Sequence, residues 1–189
     1  MFLVVGLGNP GKEYQNNRHN VGFRVIQTVA RLLGIGNEGT ECNAIVSKVE
    51  KEDVRIILAQ PLTFVNASGR SVQDLARKYE LFAQDIIVIH DDLDLPLGDV
   101  RVKANGGSGG HNGVESVIYQ LGSEDFSRVR IGIGRPTGRK DPADFVLSDF
   151  TEKEEPEISV AVEEAADAVL EIIEKGLPAA MNRYNKRGE

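Results

Sequence analysis

Short runs rich in valine and isoleucine alternate with longer segments of helical periodicity along most of this chain. Runs bounded by glycine, proline or charged turns predict strands at Phe2–Leu7, Ala44–Val49, Val54–Ala59, Ile86–His90, Val100–Lys103 and Val129–Ile133. Helical periodicity covers Val21–Leu33, Ala67–Tyr79, Gly113–Leu121 and Glu152–Lys175, with a short final helix near Ala179–Lys186. This alternation predicts an α/β fold: a single-domain sandwich with a mixed, mostly parallel central sheet flanked by helices.

Turn and cap residues refine this arrangement. The charged stretch Glu50–Asp53 lies between two strand runs and predicts a hairpin, which adds antiparallel pairing. Asn20 and Asn66 stand where they can cap two helices, and Gly34 and Gly176 stand where two helices can end. The long acidic helix near the C-terminus either packs on the body of the protein or forms a mobile flap.

The composition is that of a globular protein without disulfides. A length of 189 residues suits one domain, so residues 1–189 are predicted to form a single unit. Cys42 is the single cysteine, which excludes an intramolecular disulfide and agrees with a reducing compartment. The segment Met1–Gly6 has no basic residues before its short apolar run and reads as a first strand. With no membrane span visible, we expect a cytoplasmic protein.

The net charge of −7 argues at first against a nucleic-acid partner, but its distribution is uneven. Residues 101–140 hold seven basic and three acidic groups, a balance of +4 within an acidic chain. Such a segment can bind a few phosphates while the remaining surface discourages unspecific binding to polyanions. The alternative is a set of solvated charges on strands and loops.

Histidine is rare here, and each histidine stands beside an amide or a carboxylate. The three motifs are Arg18-His19-Asn20, His90-Asp91-Asp92 and His111-Asn112-Gly113. A fourth cluster, Phe64–Gly69, adds Asn66 just after an apolar strand. Because imidazole titrates near neutrality, a neighbouring acceptor that fixes its tautomer makes it a ready proton carrier. This clustering predicts one active site assembled from several loops; the alternative is that each histidine only caps or fills its loop.

Two glycine-rich segments match motifs of other enzyme classes. Gly6–Gly11 matches the dinucleotide-binding pattern, but Pro10 precedes the third glycine and helical periodicity resumes only near Val21. A glycine turn that presents Asn9 at the carboxyl end of a strand fits better. Gly106–Gly110 matches the nucleophile elbow, yet the only later histidine is too near Ser108 to serve it. Its amides could instead bind a phosphate or an oxyanion, unless the segment is merely a permissive turn.

Acidic residues around His90 raise the question of a metal site. Asp91, Asp92 and Asp94 follow His90, but neither an HExxH motif nor a cysteine pair supports metal binding. Strand alternation sends His90 and Asp91 to opposite sides. We therefore predict no metal, a structural His90, and a hydrogen bond from an imidazole of another loop to Asp91.

Taken together, these residues resemble bacterial-type peptidyl-tRNA hydrolases over nearly the whole chain. The matching blocks are Val5–Gly11, Tyr14 followed by Arg18–Gly22, Phe64–Gly69, His90–Pro96, Gly109–Gly113 and Arg128–Gly134. Six blocks in one order are highly specific, whereas any one of them alone would be weak.

The resemblance implies a monomeric esterase without metal or cofactor that recycles peptidyl-tRNA released from ribosomes. It makes His19 the catalytic base and Asp91 its orienting partner. The residues that it places at the substrate are Asn9, Tyr14, Asn20, Phe64, Asn66, His111 and Asn112. Of these, His111 is expected at the rim of the site. The residues it implies for tRNA phosphate are Arg101, Lys103 and Arg130. The expected partner is therefore peptidyl-tRNA, through its acceptor end and its phosphate backbone, with no membrane.

Three positions depart from the family pattern, and two other functions stay open. Val65 replaces the usual methionine, Asn17 a common threonine, and Glu115 a usual basic residue, which weakens the case for the basic patch. One alternative is an RNA-binding homologue that keeps the fold as a scaffold. The other is a peptidase or small-ester hydrolase of related architecture, indifferent to tRNA.

Overall fold

The computed structural model describes residues 1–36 and 39–185 and contains a seven-stranded mixed sheet. The strands are β1 (Phe2–Gly6), β2 (Gly39–Glu41), β3 (Ala44–Lys51), β4 (Val54–Pro61), β5 (Ile86–Asp92), β6 (Val100–Lys103) and β7 (Ser127–Gly132). Their order across the sheet is β2-β3-β4-β1-β5-β7-β6. The central strands β4, β1, β5 and β7 run parallel, and the pairs toward the edges are antiparallel. The predicted α/β fold is thus confirmed.

Helices cover both faces of this sheet. They are α1 (Val21–Leu33), α2 (Ser68–Lys78), α3 (Asn112–Leu121), α4 (Pro142–Val146), α5 (Glu155–Lys175) and α6 (Leu177–Tyr184). Alternate strand residues point to opposite faces, so Val4 packs with α1, α5 and α6 while Leu3 packs with α2 and α3. The acidic helix α5 lies on the sheet through buried residues such as Ile158 and Val169, which answers the question of a flap. No described helix has the length and apolar character needed to cross a membrane.

Several local predictions need correction. Asn66 does not cap a helix, because it lies inside a 3-10 turn and α2 begins at Ser68. Asn20 precedes α1, but its side chain bonds another loop instead of the helix. Gly34 does end α1 in the left-handed conformation, and the predicted hairpin turns at Glu52 and Asp53, both with positive φ.

Two elements were not predicted, and two helices begin elsewhere. β2 has only three residues without apolar alternation, and α4 has five residues with no buried side chain. Helix α5 begins at Glu155, later than the predicted Glu152, and α6 begins at Leu177, earlier than the predicted Ala179. The predicted end of the last helix, Lys186, lies outside the described residues.

Close contact between α2 and α3 fixes the position of α3, which carries residues of the candidate site at its N-terminus. A Cβ atom on Gly69 would lie 2.0 Å from the backbone oxygen of Ser116. Gly69 N also donates to Ser116 Oγ at 3.0 Å. Only a glycine fits here, so the spacing of the two helices depends on this position.

We therefore expect Gly69→Ala to lower the free energy of unfolding by about 1–3 kcal/mol, the usual cost of overpacking. Urea denaturation followed by circular dichroism measures this change. Gly36→Ala is the matched control, since a Cβ atom there meets nothing within 4 Å. Equal stability of both variants would show that α3 can move away from α2 at little cost.

Candidate active site

The carboxyl ends of the parallel strands bring the predicted site residues together. Gly6 at the end of β1 lies opposite Ile89 of β5, and Leu7 N donates to Ile89 O at 2.9 Å. The loop that follows β1 therefore begins beside the last residues of β5. That loop carries His19 over Asp91, as expected for an open α/β sheet whose ligands bind at this edge.

Asp91 is the centre of the site. Its side chain is 2% exposed, and its Oδ1 atom lies 2.8 Å from His19 Nδ1 and 2.9 Å from His111 Nε2. The predicted convergence of His19 and Asp91 is thus present. The side chain of His19 is 12% exposed. Its Nε2 atom has no hydrogen-bond partner among the described residues, so this nitrogen is available to a reactant.

Burial and pairing act in opposite directions on the pKa values of this pair. Burial would raise the pKa of Asp91, but the two imidazoles hold the pKa of that carboxyl well below its usual range. Burial would likewise lower the pKa of His19, yet the charge and hydrogen bond of Asp91 raise it above its ordinary value of 6.5. Asp91 is therefore ionised at neutral pH, and His19 keeps an added proton to a higher pH than a free imidazole does.

His111 lies deeper than the rim position that the resemblance implies. Its Nδ1 atom accepts hydrogen bonds from Gly113 N at 3.1 Å and from Val114 N at 3.3 Å, so the ring caps α3. A nitrogen that accepts two N–H groups carries no proton. The proton of neutral His111 consequently sits on Nε2, which donates to Asp91.

His90 is a structural residue in this arrangement, as predicted. Its ring is buried, and Nδ1 lies 2.7 Å from the backbone oxygen of Asp91. Burial, aided by repulsion from His111, lowers the pKa of His90 to about 3. The ring stays neutral at working pH and packs edge-on against His111, with ring centroids 4.8 Å apart.

Asn9 is held by three hydrogen bonds that leave one donor free. Its backbone N and O pair with the carboxamide of Asn20, both at 2.9 Å. Its Oδ1 atom accepts from Val65 N at 2.9 Å. The side-chain amide is thereby oriented, and Nδ2, without an acceptor among the described residues, is available beside the cleft.

Two cavities flank His19. The first has a volume of about 310 Å³, and His19 and Phe64 are among the residues that line it. Its amide groups come from Asn9, Asn66 and Asn112. The ring of Tyr14 stands edge-on to Phe64 at 6.2 Å. The second cavity, of about 330 Å³, is lined by residues after β5, the glycine loop and α4, among them Leu93, Asp94, Gly109, His111 and Ala143.

The three predicted phosphate contacts lie on the edge strand β6 and on its neighbour β7. Arg101 is already engaged, because it bonds Asp99 at 3.1 Å and the backbone oxygen of Tyr184 at 3.0 Å. Arg130 donates from Nε to Asp92 at 2.7 Å. The ammonium group of Lys103 has no hydrogen bond or ion pair to another described residue, which makes it the freest of the three cations.

Arg128 is a site residue that the sequence analysis missed. It is 2% exposed, and its guanidinium binds the backbone oxygens of Gly106 and Gly107. The loop that precedes His111 is therefore anchored from inside by a buried cation. An arginine within a strand gives no sequence signal for such a contact, because the loop it holds is about twenty residues away along the chain.

His19, Asp91 and His111 also form a candidate metal-ligand group, with ligand atoms within 4.8 Å of one another. The hydrogen bonds argue against this use. A metal at Nε2 of His111 would displace the proton that the two N–H donors at Nδ1 keep there. The arrangement suits proton transfer better than metal binding.

Comparison with known proteins identifies the family. The family model described as peptidyl-tRNA hydrolase matches residues 3–189. The chain is 45% identical to the peptidyl-tRNA hydrolase of Syntrophomonas wolfei, over 98% of this chain and 100% of that protein. It is 50% identical to that of Mycobacterium tuberculosis, over 97% of each.

The structural comparison agrees with these relatives. The crystal structure of peptidyl-tRNA hydrolase from Acinetobacter baumannii superimposes with a TM-score of 0.92 at 34% identity, covering 98% of this chain and 95% of that one. Both comparisons confirm the resemblance seen in the sequence blocks. The chain belongs to the peptidyl-tRNA hydrolase family.

Proposed function

We propose that this protein hydrolyses the ester between a peptide and the terminal ribose of tRNA, with His19 as general base, and so recycles peptidyl-tRNA released from ribosomes. The observation that carries the proposal is the His19–Asp91 hydrogen bond of 2.8 Å. This bond keeps the proton of neutral His19 on Nδ1 and leaves Nε2 as an acceptor between the two cavities. A base in that position can activate a water molecule against an ester carbonyl.

The reaction needs only proton transfers from these residues. Nε2 of His19 takes a proton from water while the water oxygen attacks the ester carbonyl, and Asp91 stabilises the imidazolium that forms. When the carbon–oxygen bond to ribose breaks, the same imidazolium returns the proton to the departing ribose oxygen. The peptide leaves with a free carboxyl group, and no metal takes part.

The asparagines suit the negative charge that develops on the carbonyl oxygen. Asn9 presents Nδ2 in a fixed orientation, while Asn66 and Asn112 are exposed at the same cavity. Amide donors stabilise an oxyanion without adding a charge, and one such donor commonly contributes about 10²–10³ in rate. These amides also bind peptide backbone, so many peptide side chains are accepted.

The basic edge of the sheet positions the tRNA. Lys103 is the freest cation of the edge, and Arg130 adds a partly exposed guanidinium. Arg101 contributes less to phosphate binding, because its guanidinium already donates hydrogen bonds to Asp99 and to the backbone oxygen of Tyr184. Phosphate contacts of this kind determine the register and the affinity of tRNA binding, and the chemical step does not depend on them.

His19→Ala should lower kcat by about 10²–10⁴ while folding and tRNA binding remain intact, since a general base contributes that much. Release of labelled peptide from N-acetylaminoacyl-tRNA measures turnover, and filter binding measures affinity for tRNA. EDTA should leave wild-type turnover unchanged. Near-normal turnover of the variant would refute the assignment of His19.

The pH profile tests the pair directly. Because the pKa of His19 in the free protein is raised above 6.5, kcat/KM should rise with pH through a midpoint above that value and then level off. Asp91→Asn removes the charge that raises the pKa of His19, whereas the burial that lowers this pKa remains. The midpoint of the profile should therefore move to lower pH, and its plateau should fall.

Asp92→Asn is the matched control for that profile, since Asp92 pairs with Arg130 and not with an imidazole. It should leave the midpoint of kcat/KM at the wild-type pH. A midpoint that is the same in the wild type and in Asp91→Asn would mean that another group is the base.

Lys103→Gln and Arg130→Gln should raise KM for peptidyl-tRNA more than they lower kcat, because each removes a phosphate contact. Each should also reduce the slope of log affinity for tRNA against log salt concentration by about one, because one counterion fewer is released on binding. Hydrolysis of a minimal ester, an N-acetylaminoacyl adenosine, should barely change. Arg55→Gln, near the start of β4 and separated from β7 and β6 by β1 and β5, is the control. Equal losses on both substrates would contradict this division of roles.

A further inference from the structure

Arg18, the neighbour of the proposed base, is a buried arginine with a fixed partner. It is 4% exposed, and its Nη1 and Nη2 atoms donate to Oε1 and Oε2 of Glu154 at 3.0 and 2.8 Å. The hydrogen bonds from Arg18 lower the pKa of Glu154 to about 2 despite partial burial. A two-pronged pair of this kind sets the orientation of the guanidinium as well as its position.

The same side chain lies over two aromatic rings. Its Cζ atom is 4.3 Å from the ring centroid of Phe145 in α4 and 4.9 Å from that of Phe150. Cation–π contacts at these distances add attraction where water is largely excluded. Arg18 is thus attached to α4 and to the segment that follows it.

Backbone contacts strengthen this attachment. Arg18 N donates to Ser148 O at 3.0 Å, and Asn17 forms an antiparallel bridge with Asp149. Ser148 Oγ in turn donates to Phe145 O at 2.6 Å. The turn that bears His19 is therefore bonded directly to the chain around residues 145–149.

This attachment matters because α4 borders the cleft. Residues 141–147, here called the α4 wall, include Ala143 and Val146, which line both cavities beside His19. None of the residues of α4 itself is buried. A segment without buried side chains has no core of its own, so its place depends on contacts such as those of Arg18.

We infer that Arg18 is a positioning residue for hydrolysis, which sets the distance between His19 and the α4 wall. It acts through Glu154 and Phe145 and does not touch the substrate. The width of both cavities follows from this distance, and with it the binding of the peptide and of the terminal nucleoside. The inference rests on the proposed function of His19.

Two substitutions test this role. Arg18→Lys keeps the charge but loses the planar fork, and Glu154→Gln keeps the shape but loses the charge. Each should raise KM about tenfold for both peptidyl-tRNA and N-acetylaminoacyl adenosine, since the α4 wall borders both cavities. The pH midpoint of kcat/KM should stay at its wild-type value, because the His19–Asp91 pair is untouched.

The neighbouring ion pair is a matched control. Arg24 donates to Glu155 at 3.2 and 3.0 Å and lies 5.9 Å from the ring of Phe150, but no hydrogen bond connects it to α4. Arg24→Lys and Glu155→Gln should leave both KM values unchanged. Thermal midpoints of all four variants separate function from stability, since a merely structural role lowers Tm without raising KM.

The outcomes distinguish this inference from the proposed function. If Glu154→Gln keeps wild-type KM values, or if its pH midpoint moves, the positioning role of Arg18 is wrong even when His19→Ala is inactive. If His19→Ala retains turnover, the proposed function fails instead. Should Arg18→Lys not fold, Phe145→Leu removes the ring that Arg18 and Lys140 both face while the ion pair of Arg18 stays intact, and it should still raise both KM values above those of the controls.

Discussion

Two imidazoles share one oxygen of one buried carboxylate, Oδ1 of Asp91. Burial disfavours a charge, and the N–H groups of His19 and His111 make the ionised form stable there. The ionised form in turn keeps a proton on Nδ1 of His19. His111 holds its own tautomer through the first N–H groups of α3, so the positive end of that helix reaches Asp91 through the ring. The tautomer of His19 therefore follows from the carboxylate, and that of His111 follows from the N-terminus of α3.

The sequence was sufficient for much of this arrangement. Valine and isoleucine runs marked the central strands because both faces of a parallel sheet are buried, and that pattern is local. An imidazole of another loop could be expected at Asp91 because loops at the carboxyl ends of neighbouring parallel strands meet, and the family resemblance identified that imidazole as His19. Asn9 was expected at the same edge for the same reason. A scaffold that only bound RNA would need no such constellation, and the relatives named above are hydrolases.

What the sequence did not reveal depends on contacts between distant segments. Asn66 looked like a helix cap, but a 3-10 turn precedes α2 and turns the residue toward the cavity. α4 had the signals of a helix start, Asp141 followed by Pro142, yet it is too short for periodicity. The depth of His111 and the role of Arg128 rest on hydrogen bonds that no local pattern encodes.

Arg128 has a consequence for the outer side of the glycine loop. The carbonyls of Gly106 and Gly107 face its guanidinium. In a trans peptide unit the N–H group points opposite to the C=O group, so the N–H groups of Gly107 and Ser108 point away from the buried cation. The buried guanidinium thereby orients two successive peptide units. Their N–H groups give this glycine-rich stretch an electropositive side, although it carries no charged side chain.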